Sequence, residues 1–241
     1  MVATPLAAEG DPPASAAAPD AAVVLAVFDL DGTITRHDSL APLLWGYAWR
    51  HPWRLLQLLV ALPHLLGALL ARDRGELKGT MIHALLGGLP RSAVTAWTNR
   101  FCARLLRAGL FAEAVEHIRS HQQAGHRLVL LSASTDFYVP LIGARLGFGS
   151  TVCTPVAWRA DGRLDGRLAG PNHRGEQKAR VLRQLMAETG AREVHAYGNS
   201  SADLPHLRLA THGWFVNGNA ALIGMDHPNV RVVRWRTPGG I

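Results

Sequence analysis

The stretch Val23-Val24-Leu25-Ala26-Val27-Phe28-Asp29-Leu30-Asp31-Gly32-Thr33 constrains the fold more than any other part of this 241-residue chain. Its six leading apolar residues, mostly β-branched or aromatic, predict a strand buried on both faces, as in a parallel sheet with helices on either side. Two carboxylates spaced two apart follow at the strand's C-terminal end, where open parallel sheets bind their ligands. Strand alternation points Asp29 and Asp31 to one side. Two carboxylates there repel unless a hard divalent cation, such as magnesium, lies between them. Taken alone, the pair also suits the cap of a following helix.

The chain is long enough for one full core carrying a smaller inserted unit. Its formal charge is +7, and of 25 basic residues only Lys78 and Lys178 are lysine. The basic residues are spread out, which argues against a nucleic-acid surface and favours anionic substrates or an anionic membrane surface. Cys102 and Cys153 have no framework or metal spacing and fit a reducing cytoplasm. Residues 1–20, rich in Ala and Pro, read as a disordered leader without the features of a secretory signal. Glu113, His117 and His121 share a helical spacing that suits either a surface zinc site or a solvated polar face, and the polar face is the simpler reading.

From Ser39 to Ala124 the pattern is helical, and 39–124 is assigned to an inserted helical cap. The core is assigned to 21–38 and 125–241. The most apolar part of the insertion, Leu55 to Leu70, is bracketed by Arg50, Arg54, Arg72 and Arg74. Its 16 residues, interrupted by Pro63, His64 and Gly67, fall short of the roughly 20 needed to cross a bilayer. A buried helical hairpin is expected there, with a membrane-apposed pair over 52–70 as the alternative. Trp45, Trp49 and Trp53 suit either environment.

A second buried strand, Arg127 to Leu131, ends in Ser132-Ala133-Ser134-Thr135-Asp136. Thr151 to Leu168 reads as a hairpin around Asp161-Gly162. Gly175-Glu176-Gln177-Lys178 opens an amphipathic helix that stops at Gly190. A third core strand, Glu193 to Tyr197, runs into Gly198-Asn199-Ser200-Ser201-Ala202-Asp203, and late strands are expected at 213–216 and 230–235. In a parallel sheet the three polar strand ends face one crevice. Together with Lys178 they supply a nucleophile, an acid/base, hydroxyl donors, a cation and metal ligands, which is the inventory of a phosphoryl-transfer site.

In these motifs the sequence resembles the haloacid dehalogenase superfamily, in its phosphoserine-phosphatase-like branch, over about residues 22 to 220. Asp29-Leu30-Asp31-Gly32-Thr33 matches its first motif, Ser132 the second, Lys178 the third and Gly198 to Asp203 the fourth. The resemblance implies an α/β, Rossmann-like core with a helical cap inserted between the first two motifs. It also implies magnesium-dependent phosphomonoester hydrolysis. Asp29 is then the nucleophile that forms an aspartyl-phosphate, and Asp31 the acid/base. Thr33, Ser132, Ala133 and Lys178 contact the phosphate, and Asp29, Asp31, Asn199 and Asp203 hold Mg2+. The commonest form of the fourth motif has Asp where Asn199 stands, so the metal shell carries one negative charge fewer here.

The cap selects the substrate. In phosphoserine phosphatases a Glu nine residues after the nucleophile contacts the substrate's amino group, and the shorter Asp38 holds that position. A small soluble phosphomonoester such as phosphoserine is the expected substrate. The apolar stretch also resembles the cap of bacterial phosphatidylglycerophosphatases, which implies a membrane-apposed lipid-phosphate phosphatase as the alternative. A non-catalytic binding module, suggested by Asn199, is a third class. Transfer to an alcohol instead of water and the oligomeric state are left open by the sequence.

Overall fold

The computed structural model describes residues 23–224 and 227–236, so the expected leader lies outside the described residues. The chain opens with β1 (Val24–Phe28) and continues through α1 (Leu40–Ala48), α2 (Arg54–Leu70), α3 (Arg74–Leu86), α4 (Arg91–Ala108) and α5 (Ala112–Gln123). Next come β2 (Arg127–Thr135), α6 (Val139–Arg145), β3 (Ser150–Thr154), β4 (Val156–Trp158) and β5 (Leu164–Leu168). The last part alternates as α7 (Glu176–Thr189), β6 (Glu193–Gly198), α8 (Leu204–Leu209), β7 (His212–Val216) and β8 (Val230–Val233).

Six strands form one parallel sheet in the order β3-β2-β1-β6-β7-β8. This is the α/β architecture expected from the apolar run before Asp29. β1 lies between β2 and β6, and Leu25, Ala26, Val27 and Phe28 are fully buried. Ala26 and Phe28 join a core with α4, α5 and α6, whereas Leu25 and Val27 join Leu182, Leu204 and Leu207 on the other face. The Phe28 ring stacks flat on Tyr197 of β6, with centroids 4.1 Å apart. The chain leaves β1 toward β2 and β3, then returns to its other side for β6, β7 and β8. The order therefore reverses at β1, and a crevice opens at its C-terminal end.

Four expectations change. β2 continues to Thr135, so Ser132-Ala133-Ser134 is extended strand. β3 pairs with β2 in the main sheet, and only β4 and β5 form the antiparallel hairpin. That hairpin lies against α3. There Gly166, at φ +92°, brings its backbone so near His83 that a Cβ would stand 2.7 Å from the His83 amide nitrogen. α5, read with the cap, instead buries Ala114 and Ile118 in the core that holds Phe28 and Leu128 of the sheet.

The fourth concerns the apolar stretch, where the expected buried hairpin is absent. Arg54–Leu70 is a single helix containing Pro63, and Ala68 is its one buried residue. Leu55, Leu58, Ala61 and Leu65 are half-buried along one stripe facing the rest of the protein, while Leu59, Val60 and Leu70 are exposed. The polar residues Arg54, Gln57 and His64 share one side of this helix, and the apolar arc left over is too wide to indicate which part of it is covered.

The face carrying His117 and His121 is neither solvated nor a zinc site with Glu113. His121 is buried, its Nε2 3.0 Å from the Tyr197 hydroxyl and its Nδ1 2.7 Å from His126 Nδ1. The His117 ring stacks on Trp235, and the Glu113 carboxylate accepts the Arg236 N–H. Burial first, then the neighbouring His195, His126 and His117, push the His121 pKa down to about 4.

Candidate active site

The end of β1 is held by backbone bonds before any side chain acts. The Asp29 N–H donates to the Tyr197 carbonyl at 3.0 Å, extending the pairing of β1 with β6. The Leu30 carbonyl then accepts the N–H groups of Thr33, Ile34 and Thr35, which closes a tight turn. Gly32 sits at φ +76° in that turn, where a Cβ would overlap the Asn199 side chain. The glycine between the acidic turn and the Asn199 turn thus lets the two motifs touch.

Lys178, in the first turn of α7, is buried and joins two carboxylates. Its Nζ donates to Asp29 Oδ1 at 2.5 Å and to Asp203 Oδ1 at 2.7 Å. Thr33 Oγ1 donates to Asp29 Oδ2 at 3.1 Å. Asp31 lies beside them with a different set of partners: Oδ1 accepts the Ser39 N–H at 2.7 Å and Oδ2 accepts Ser134 Oγ–H at 2.6 Å. Ser39 immediately precedes α1, and its hydroxyl lies 2.8 Å from the Tyr138 hydroxyl. The first helix of the insertion is therefore tied to Asp31 itself.

These side chains open onto a cleft of about 500 Å³. Burial raises the Asp29 pKa to about 7, with the like charges of Asp203 and Asp31 acting in the same direction and Lys178 against them. Burial also raises Asp31, opposed by the donors from Ser134 and Ser39. For Lys178, burial acts downward, but the Asp203 and Asp29 carboxylates outweigh it and the ammonium is held charged. Lys178 and its hydrogen bonds hold the Asp203 carboxylate well below the usual range against the effect of burial.

The expected site residues assemble, but not all in their expected roles. Asp29, Asp31, Lys178, Asn199, Asp203, Ala133 and Asp38 line the cleft. Thr33 and Ser132 do not; both are fully buried, Thr33 on Asp29 and Ser132 accepting the Ser134 N–H. The hydroxyl of this strand that faces the cleft belongs to Ser134. Asp38, the expected specificity residue, caps α1 by accepting the Ala41 N–H at 2.8 Å.

Asp203 Oδ2 already takes three donors, from Asn199 N, Ser200 N and Ser200 Oγ, and Oδ1 takes Lys178. A carboxylate oxygen has two lone pairs, so Asp203 has little left for a metal. It orients Lys178 and the Asn199 turn instead. The remaining donor set fits a hard divalent cation. Asp29, Asp31 and the Asn199 amide offer oxygen only, and three acidic groups face one contacting ammonium.

Several cleft residues were not singled out from the sequence. Lys78 Nζ crosses from α3 to the Ala133 carbonyl and, at 2.9 Å, to Asn172 Oδ1. Burial is the main cause that lowers its pKa to about 8. Arg36, Arg74 and Arg174 add positive charge, and Leu40, Leu44, Leu77 and Met81 add an apolar wall. Lys78 had one signal in the sequence: both lysines of this arginine-rich chain enter the cleft.

The pattern of haloacid dehalogenase-like hydrolases matches residues 26–208. The chain belongs to that family. It is 30% identical over 188 residues to the protein CicA of Caulobacter vibrioides, covering 78% of this chain and 83% of the relative. A probable phosphatase of Mycobacterium tuberculosis is 29% identical over 152 residues, 62% of this chain and 52% of that protein. Among solved structures, a Bordetella pertussis protein of unknown function aligns with a TM-score of 0.71 at 24% identity, covering 88% of this chain and 99% of the other. A probable phosphoserine phosphatase from Vibrio cholerae aligns at 0.65 and 14% identity, over 88% and 61%. At these identities the two structures bear on the fold alone. Among the described residues, no helix is long and apolar enough to cross a membrane.

Proposed function

We propose that this hydrolase is a magnesium-dependent phosphomonoesterase working through an aspartyl-phosphate on Asp29. The observation that carries the reading is the Lys178 bridge between Asp29 and Asp203 at the reversal point of the sheet. One carboxylate oxygen of Asp29 is held by Lys178 and the other by Thr33, so the group is fixed for attack on a phosphorus atom. Lys178 neutralises charge on the nucleophile and on the phosphoryl group as it transfers. Asp31, beside Asp29 and held by Ser39 and Ser134, gives a proton to the departing oxygen, then takes one from the water that hydrolyses the acyl phosphate. Ser134 orients Asp31 for both steps.

Asp29, Asp31 and Asn199 would hold the cation, which would supply charge screening between the carboxylates and the incoming dianion. Asn199 would contribute a neutral oxygen, which lowers the charge of the shell without removing a ligand. The substrate is a small phosphomonoester such as phosphoserine. The alternative is a lipid phosphate, favoured by the exposed apolar side of α2.

The test is phosphate release from a generic aryl phosphate by the purified chain. Activity that needs Mg2+, stops with a chelator and is abolished by Asp29→Asn is expected. Activity retained by Asp29→Asn would overturn the reading, and no turnover at any magnesium concentration would favour a binding module.

A further inference from the structure

We infer that the α1–α2 face docks on an anionic lipid bilayer and that the cleft takes the phosphomonoester of a membrane amphiphile. This rests on the hydrolase reading above, takes its lipid-phosphate alternative in place of a small soluble substrate, and adds where that substrate resides. Of the twelve large hydrophobic side chains exposed among the described residues, ten lie between Trp45 and Leu70. Leu59, Val60 and Leu70 are 66%, 75% and 85% exposed. A soluble surface scatters such residues singly, and their concentration on one helix marks a surface that is covered in use.

Charge selects the cover. No acidic residue occurs from Ser39 to Arg72, while Arg50, Arg54 and Arg72 stand at the ends of the apolar run. Arg54 is turned to the Gly87 carbonyl and Arg50 lies over the Trp97 ring, but Arg50 and Arg72 are both exposed, and arginines so placed beside an apolar helix put positive charge at headgroup level. A second copy of this chain would set the same arginines against each other, whereas an anionic leaflet neutralises them. Trp49 and Trp53 are exposed at the N-terminal end of α2, at the position of interfacial anchors. The 17 residues of α2, too few to span, suit a helix lying in the interface plane.

The same elements form the mouth of the cleft. α1 turns Trp45 and Trp49 outward and lines the cleft with Leu40 and Leu44. α2 ends at Leu70, and Arg74, four residues on, is already a cleft residue. Leu77 and Met81 continue an apolar wall along α3, the helix against which α2 packs. A phosphomonoester on an acyl-bearing molecule can place its phosphate at Asp29 and its apolar part along this wall. Arg36, Arg74 and Lys78 receive further negative charge near the phosphate.

The test uses the full chain with vesicles of phosphatidylcholine alone or with added phosphatidylglycerol. Flotation with the anionic vesicles, at least about tenfold stronger than with the neutral ones, is expected. A blue shift of tryptophan fluorescence should accompany it. The triple variant Leu59→Asn, Val60→Asn, Leu66→Asn should lose flotation while hydrolysing a soluble aryl phosphate at the unaltered rate. That rate also shows the variant to be folded. Phosphatidate in the vesicles should be hydrolysed at least about tenfold faster by the wild type than by the variant.

Wild-type protein that hydrolyses aryl phosphate but ignores both vesicles sinks the docking inference and leaves the hydrolase reading intact. Flotation without any magnesium-dependent phosphatase activity does the reverse. A dimer in sedimentation that the triple variant abolishes, without flotation, assigns the face to a second copy and also overturns the inference.

Discussion

The two walls of the cleft are built on opposite terms. On the sheet side, Asp29, Lys178 and Asp203 are almost fully buried, and each side-chain charge is met by a named partner. On the side of the inserted helices, Arg74 and Asp38 are exposed, Lys78 is half-buried, and the adjoining α2 has one buried residue in 17. The sheet wall has the fixed geometry that charge transfer at one atom requires. The helical wall is accessible to solvent, and on the proposed reading it is the side that meets the rest of the substrate.

Substitutions separate the walls, and the largest effect belongs to the sheet side. Asp29→Asn removes the proposed nucleophile and is expected to lower kcat by at least about a thousandfold in steady-state assays. Lys178→Met comes next, with a loss of about a hundredfold or more in kcat, because a buried positive group at the phosphoryl site disappears. Its removal also leaves Asp29 and Asp203 facing each other unpaired, so a thermal melt should show destabilisation.

Lys78→Met should act differently. A charge-assisted contact of this kind is worth roughly 1.5–3 kcal/mol, which places the loss in kcat/KM at about tenfold to a hundredfold. The loss should fall mostly on KM if Lys78 only receives substrate charge. Its pKa of about 8 gives a sign: the ammonium is present below that pH and lost above it. KM for an anionic substrate should rise above pH 8 in the wild type, and this limb should vanish in Lys78→Met. An equal fall in kcat would instead place Lys78 in the chemical step and blur the distinction between the walls.

Asn199→Asp restores a negative charge to the metal shell. A magnesium titration of activity should show half-saturation at a several-fold lower concentration, roughly as expected from one added charged ligand. A rise in the concentration needed would contradict Asn199 as a ligand.

The sheet wall was legible in the sequence because its signals are local and chemically rare. An apolar run that ends in Asp29-Leu30-Asp31, and a strand that ends in Gly198-Asn199, place two carboxylates and an amide at strand ends wherever the strands pair. Lys178 stood out as one of two lysines. The motif-two hydroxyl was read as Ser132, although Ser134 has the same parity and alternation cannot choose between them. The structure assigns the cleft-facing position to Ser134, because β2 continues past the expected turn.

The helical wall was legible as helix and little more. α4 and α2 are of nearly equal length, yet α4 buries Val94, Trp97, Phe101 and Cys102 while the more apolar α2 buries only Ala68. α4 buries its apolar stripe, so its pattern reports its orientation; α2 has a narrow polar side of Arg54, Gln57 and His64 and a wide apolar arc, of which only the stripe of Leu55, Leu58, Ala61, Leu65 and Ala68 meets the protein. The helix-face histidines failed for a related reason. His121 meets Tyr197 and His126, whose positions only the tertiary fold supplies.

The central claim is that Asp29 carries the phosphoryl group. Rapid acid quench during turnover of an aryl phosphate with Mg2+, followed by peptide mass spectrometry, tests it directly. One phosphoryl group on Asp29, absent from the peptide of Asp29→Asn, is the predicted result. A phosphoryl group found instead on Ser134, or on any residue other than Asp29, would contradict the account.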